Sequence, residues 1–318
     1  MTTATRISYV FIVAVIVLAG AAQLATPLVT VLFSYFALRK LHFVKRKFFA
    51  LMLFLVLVAV VLYGIGYLVR QAVVALPTIL AESIPPLISY AQAHGIELPF
   101  SDLETLKTAV VDTLQDQFLF VGNLSRTATR QLVLVIIAIV VSASLFFQSA
   151  MQFQAALEGP SLFTAVAEQV KIRFRTFYES FERVMGAQLT ISGINTILTA
   201  IFVTAIGLKY IPLVIGLTFL CGLLPIVGNL ISNSVIVCIA FTESSRAAIA
   251  ALVFLILLHK LEYFLNSKII GYRIKNPMWL TLLALVIGER FMGIPGMILA
   301  PVVLDYVRTE TSRLPAPR

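Results

Sequence analysis

Long apolar runs dominate the chain, and their lengths fall into two classes. Four runs, 48–69, 131–150, 184–208 and 247–266, approach the roughly 20 residues that an α-helix needs to cross a bilayer. Three others, 7–38, 211–241 and 277–307, are too long for one crossing, and glycine and proline interrupt each near its middle. The interruptions run from Gly20 to Pro27, from Pro225 to Gly228, and from Gly288 through Gly293, Pro295 and Gly296, with Pro301 beyond. Most halves are then expected to hold about 10–15 residues, short of a full crossing. The pattern predicts helical hairpins that enter the membrane, turn and leave on the side they came from. The expected fold class is an all-α polytopic membrane protein with four full transmembrane helices, three Gly/Pro-broken re-entrant hairpins and a small external helical subdomain.

Composition agrees with a membrane setting. Of 318 residues, 60% are hydrophobic and 12% charged, where soluble domains carry about 25% charged residues. Too little polar surface remains to coat a soluble globule of this size. That excludes an ordinary cytosolic enzyme, a disordered regulator and a secreted disulfide scaffold. Cys221 and Cys238 lie inside apolar stretches away from any His/Cys cluster, and so read as small core hydrophobes rather than metal or redox groups. At the N-terminus, Arg6 and the apolar run Ile7–Leu18 before Ala19-Gly20-Ala21 imitate a signal peptide. Pro27 opens a second apolar run almost at once and a basic cluster follows, which favours a retained membrane segment.

The net charge of +9 fits basic cytoplasmic loops better than a nucleic-acid footprint, and no nucleic-acid partner is expected. With Arg39, Lys40, Lys45, Arg46 and Lys47 placed inside, four crossings and three returning hairpins put seventeen of the 24 basic residues inside and six outside. Arg290 then sits at a hairpin tip. Both termini are expected in the cytoplasm, and lipids are the surrounding partner. Four regions follow: 1–69, the N-terminal hairpin and first span; 70–130, the external subdomain; 131–183, the second span and a cytoplasmic amphipathic helix; and 184–318, a transport core of two helix-plus-hairpin units. In the external region Ser101-Asp-Leu-Glu104 is a capping-box signature. In the inside helix Val166, Val170, Phe174, Phe177, Phe181 and Met185 share a face.

Polar groups at bilayer depth are costly and mark candidate sites. Gln188, Ser192, Asn195 and Thr199 recur on one face of the 184–208 run, either bonding neighbouring helices or lining a solute path. The Pro225–Gly228 break frees backbone groups that need partners, and Asn229 and Asn233 follow one turn apart. Helices broken near the midplane commonly build transporter sites. His259, Glu262 and Asn266 share a face near the inner end of their run, where a His/Glu pair can relay protons or simply pair with Lys260 or Lys268. Glu289 and Arg290, at the third turn, either neutralise each other or gate the path. Pro27, Gly293, Pro295, Gly296 and Pro301 are the expected hinges. No phosphate-binding loop, zinc-protease His-Glu-x-x-His or nucleophile elbow occurs, so an enzyme and a cofactor are not expected.

The ordered set of motifs resembles the autoinducer-2 exporter family of bacterial inner-membrane proteins. It comprises Ala25-Thr-Pro27 through Leu38, the 160–182 helix running into Gly186-Ala-Gln188-Leu, Leu224-Pro225-Ile-Val-Gly228, and Gly271 to Asn276-Pro277 continuing into Gly293-Ile-Pro295-Gly296 and Pro301. Asn229 departs from the smaller or proline-type residue expected after Gly228. The resemblance implies export of autoinducer-2 or a similar small polar solute by a homo-oligomer, a pentamer being one form. Some family members are instead assigned sodium- or potassium-proton antiport, with His259 and Glu262 or Glu289 as proton carriers here. A membrane scaffold acting through the external subdomain is the reading from a different class.

Overall fold

The computed structural model describes residues 2–43, 46–95, 130–148, 161–224, 227–265 and 277–313, and these are helical with no strand among them. The helices are α1 (Thr3–Ala21), α2 (Ala25–Leu41), α3 (Lys47–Ala93), α4 (Arg130–Phe147), α5 (Leu162–Ile206), α6 (Ile211–Cys221), α7 (Val227–Glu243), α8 (Ser245–Leu265) and α9 (Met278–Thr311). Length and composition make α1, α3, α4, α5 and the greater part of α9 capable of crossing a membrane. The 247–266 run corresponds to the 21-residue α8. The chain is a multi-pass membrane protein.

Two expected boundaries dissolve. The first span does not stop near residue 69: α3 continues for 47 residues through Pro77, Pro85 and Pro86. Each proline removes an N–H from the helix ladder and crowds the carbonyl four residues back, yet the helix continues, with Ala75, Ile79, Ile84 and Ala91 on this stretch buried. The amphipathic helix and the 184–208 span are likewise one uninterrupted helix, the 45-residue α5. At 1.5 Å per residue each is on the order of 70 Å long, more than twice the hydrocarbon thickness. The capping box at Ser101 lies outside the described residues.

The first expected break is a turn at Ala22–Leu24, where Gln23 takes φ +56° and the Leu24 N–H donates to the Ala19 carbonyl at 2.7 Å. Gly20 is not the breaking residue. It stays helical, and a Cβ there would run into Phe291 and Met292, so its smallness serves packing against α9. Pro27 sits in the first turn of α2, where its missing N–H is one the helix leaves unpaired anyway. Consequently α1 and α2 have 19 and 17 residues, longer than halves of about 10–15 residues. Either could nearly traverse the apolar layer.

The third break is sharp. Gly293 has φ 63° and ψ −149°, a region essentially confined to glycine. The chain folds back there: Gly288 lies against the Gly296 carbonyl and the Ala300 side chain, and Leu285 packs with Met297 and Ala300. In a straight helix residues 288 and 300 would stand about 18 Å apart. Pro295 and Gly296 begin the returning half, and Pro301 lies within it.

By its own contacts the chain forms two units, residues 1–59, 129–186 and 273–318, and residues 60–128 and 187–272. The first unit holds the first and third hairpins, and its core joins Ile12, Val29, Leu32, Phe181, Met185, Leu299 and Val302. Phe33 and Phe36 meet the Phe181 ring edge-on. A polar cluster fastens one end of this core. Arg173 Nη1 donates to Glu310 Oε2 at 2.5 Å, Tyr9 donates to the same oxygen at 3.0 Å, and the Arg173 guanidinium lies over the Tyr9 ring. Arg183 pairs with Asp305 at 2.8 Å and Lys40 with Glu182 at 2.9 Å. All the basic members of this cluster fall among those the charge pattern assigns to the inside. The second unit is built around Ile79, Val203, Leu213, Val214, Ile236, Ile239, Ala248 and Ala251.

Arg173 and Glu310 are both buried, so removing one partner strands a charge. Glu310→Ala is expected to destabilise by about 3–5 kcal/mol, and Arg173→Met in the same chain to restore most of that. Thermal unfolding of the single and double variants in detergent measures both.

Candidate functional site

The candidate site lies wholly within the second unit, where the middle hairpin turns. α6 ends at Cys221 and α7 begins at Val227; Pro225 and Ile226 lie outside the described residues. The two helices fold back on each other through Leu213 and Val214 against Ile236, Ile239 and Ala240. At the turn the backbones approach so closely that a Cβ on Gly228 would overlap the Cys221 carbonyl. Gly228 is there for that approach.

A helix that ends in an apolar setting leaves carbonyls without intrahelical partners. The polar face of α5 supplies the missing donors. Gln188 Nε2 donates to the Gly222 carbonyl at 2.5 Å, and Ser192 Oγ donates to the Phe219 carbonyl at 2.8 Å. These two residues bond the broken end of α6. They belong to the bonding half of the two roles that sequence spacing left open.

The C-terminal half of the same face differs. Asn195 and Thr199, farther along α5, are buried, and Asn195 Oδ1 and Thr199 Oγ1 have no hydrogen-bond partner among the described residues. Thr218 Oγ1 on α6 is in the same condition. Asn195 and Thr218 line a cleft together with Asn229, Ser232 and Asn233 of α7 and Leu255, Leu258, His259 and Glu262 of α8. The cleft has room for about one water.

Glu262 is the charged centre of this cleft. Its side chain is 14% exposed, and Asn229 Nδ2 donates to both carboxylate oxygens, at 2.8 and 2.6 Å. No bond to Lys260 occurs among the described residues. His259 Nδ1 stands 3.9 Å from Glu262 Oε2, but its side chain is 75% exposed. The closest partner of the carboxyl group is thus a neutral amide, and the amide belongs to the residue just after the hairpin turn. Protonating Glu262, or placing a cation on it, weakens the acceptor that holds Asn229.

Two groups of candidates that the sequence kept apart therefore come together: Asn195, Asn229 and Asn233 with His259 and Glu262. Thr218 and Ser232 were missed. Ser232 stands three residues after Asn229 and carried a readable signal, whereas Thr218 sits alone in an apolar run. Glu289 and Arg290 belong to the other unit. They are exposed in the first unit, next to the Gly293 turn, with no ion pair between them among the described residues. Gly293, Pro295, Gly296, Pro301 and Pro27 also belong to the first unit. Asn266 lies outside the described residues.

The close approach at the turn makes a sharp contrast between two glycines. Gly228→Ala is expected to lower the unfolding midpoint, because the new methyl meets main chain that cannot move aside. Gly193→Ala on α5, where a Cβ meets nothing within 4 Å, is expected to raise stability by up to about 1 kcal/mol. Parallel melting curves of the two variants check the pair.

The AI-2E family transporter model matches residues 7–309. The chain is also similar to the Bacillus subtilis (strain 168) protein described as "Putative transport protein YdbI", with 25% identity over 303 residues, covering 88% of this chain and 83% of that protein. Matched from the first helix to the end of the last hairpin, this chain belongs to the AI-2E family of transporters.

Proposed function

We propose that this transporter is a secondary carrier of the bacterial inner membrane, with cytoplasmic termini, that moves a small polar solute such as autoinducer-2 out of the cell. Glu262 is its coupling carboxylate. The observation that carries this reading is the bond from Asn229 to both Glu262 oxygens, because it ties the charge state of one acid to the turn of a broken helix. A transporter needs an element whose position depends on what is bound. Here the element is the α6–α7 hairpin, the switch is Glu262, and the His259 ring stands 3.9 Å from it. The seam of Gln188 and Ser192 keeps the end of α6 bonded while the α7 side of the turn changes partner. Gly228 permits the close packing that this turn requires.

The hairpins are read as re-entrant, since that arrangement keeps the basic residues of α2, α5 and α9 on one side. The homo-oligomer implied by the family resemblance stays part of this reading. Glu289 and Arg290 are assigned to the turn of the third hairpin rather than to the coupling site. A second reading, sodium- or potassium-proton antiport without an organic solute, is favoured by one observation: the cleft has room for about one water, which suits an ion better than a metabolite.

Proteoliposomes loaded with autoinducer-2 and a pH dye separate the two. Wild-type protein is expected to release the solute with a matching pH change, and Glu262→Gln to abolish both while the protein stays folded by circular dichroism. Retention of solute with a pH response to added sodium or potassium would establish antiport instead. Transport by Glu262→Gln at the wild-type rate would remove Glu262 from the mechanism.

A further inference from the structure

Charge is distributed very unevenly along the chain. The first 81 residues hold seven Lys or Arg and no Asp or Glu, and five of the seven fall between residues 39 and 47, where α2 gives way to α3. Any compensating carboxylate must come from elsewhere, and it comes only in part. Glu182 of α5 takes Lys40 at 2.9 Å and lies 3.8 Å from Arg39. Lys47 Nζ instead donates to the Phe147 carbonyl at 3.2 Å, at the end of α4. Arg46 is exposed, and its side chain has no hydrogen bond or ion pair among the described residues. Neither Arg46 nor Lys47 therefore has a carboxylate partner among them.

This corner has a firm support. The His42 ring meets Phe146 of α4 edge-on with centroids 5.4 Å apart, and the Lys47 ammonium stands 5.9 Å from the centroid of the same ring. Leu38, Ala50, Phe54 and Phe146 pack as one core beneath it. One ring of α4 is thus gripped from the end of α2 and from the start of α3, and Arg46 directly precedes the gripping lysine. The surroundings identify the kind of partner. Phe43 is 71% and Phe48 69% exposed, and Met52, Leu55 and Val56 continue an exposed apolar surface along α3. From Phe48 to Val69 there are 22 residues without a charge, about what a crossing needs, and Tyr67 and Arg70 close the run with residue types common at membrane interfaces. The corner is where a lipid-facing wall begins, and a cation at that depth meets phosphate.

We infer that the α2–α3 corner is a binding surface for an anionic phospholipid, with Arg46 as the counter-charge of its headgroup phosphate and Phe43 and Phe48 against its acyl chains. A soluble acidic segment would answer the charge and leave both rings in water, whereas a phospholipid answers both. A zwitterionic lipid brings its own ammonium to the site, so a headgroup of net negative charge is preferred. Binding to such a surface combines apolar contact with electrostatic attraction. Because the corner joins α2 and α3 to α4 through Phe146 and the bond from Lys47 to Phe147, an occupied corner stabilises this part of the first unit. The surface lies apart from Glu262 and does not depend on its role.

The test uses the full chain, freed of lipid in an uncharged detergent and given dioleoyl phosphatidylglycerol or dioleoyl phosphatidylcholine at equal mole fraction. Lipid retained per chain is read by native mass spectrometry, and the unfolding midpoint is followed alongside. Phosphatidylglycerol is expected to be retained in preference and to raise the midpoint with concentration, as a ligand of the folded state must, and less so as salt rises. A basic residue near an anionic surface contributes about fivefold to binding. Arg46→Gln is therefore expected to weaken phosphatidylglycerol binding about fivefold, and Arg46→Lys to keep it. Arg175→Gln removes the same charge from an exposed residue that has Glu179 at 2.9 Å, and is expected to bind as the wild type does. Phe43→Ala with Phe48→Ala is expected to weaken retention of the lipid.

Equal retention of the two lipids by the wild type overturns the inference. So does an equal loss in Arg46→Gln and Arg175→Gln, which would mean that net charge alone attracts the lipid. Inorganic phosphate and soluble polyglutamate are run in place of lipid. Either one raising the midpoint as far as phosphatidylglycerol does, with the rise lost in Arg46→Gln, would give the corner to a soluble anion or an acidic protein segment and overturn the lipid. Melting of the lipid-free variants at the wild-type midpoint shows that a lost response is lost binding and not lost fold.

Discussion

A carbonyl released where a helix ends inside an apolar medium must be bonded by something, and the middle hairpin is organised around that requirement. Each orphaned group would cost several kcal/mol in hydrocarbon. The answer here is a neighbouring helix with donors at one-turn spacing. Gln188 and Ser192 reach the Gly222 and Phe219 carbonyls, and this contact fixes the end of α6 against α5. With that end fixed, Gly228 can bring α7 against Cys221, and Asn229 arrives at Glu262.

The electrostatic character of the site follows from the same geometry. A carboxylate that is mostly buried usually meets a cation, yet Glu262 meets an amide. When an amide withdraws its bonds only the carboxylate is left to be compensated, whereas parting from an arginine or lysine would leave two buried charges. The Arg173–Glu310 pair of the first unit shows the opposite design. Both groups are buried and charged, supported by Tyr9 and the ring beneath the guanidinium, and the arrangement suits a permanent fastening.

The two hairpins whose turns are fully described reverse by different means. Gln23 adopts a left-handed conformation that a flexible polar residue tolerates, and the turn closes through the Leu24-to-Ala19 bond. Gly293 adopts one that only glycine tolerates, and Gly288 and Gly296 then let the two halves of α9 touch main chain to main chain. Glycine in these stretches serves as much for closeness as for turning. That is why Gly20, read as a breaker, remains inside α1.

The sequence by itself determined the class of protein. Apolar runs of spanning length and half the usual charge require a helical membrane protein, and the breaks near Gln23 and at Gly293 lie within the interruptions that glycine and proline mark, while α6 already ends at Cys221, ahead of the expected break at Pro225–Gly228. The face of Gln188, Ser192, Asn195 and Thr199 was legible because 3.6-residue periodicity is a local property. Where each helix stops was less so: α3 and α5 run through expected boundaries because packing in their units outweighs the local signals of proline and charge. Only the tertiary structure decided which polar groups meet. That Glu262 is held by Asn229, and that Thr218 lines the same cleft, depend on contacts between helices far apart in the chain, and no spacing along one helix encodes them.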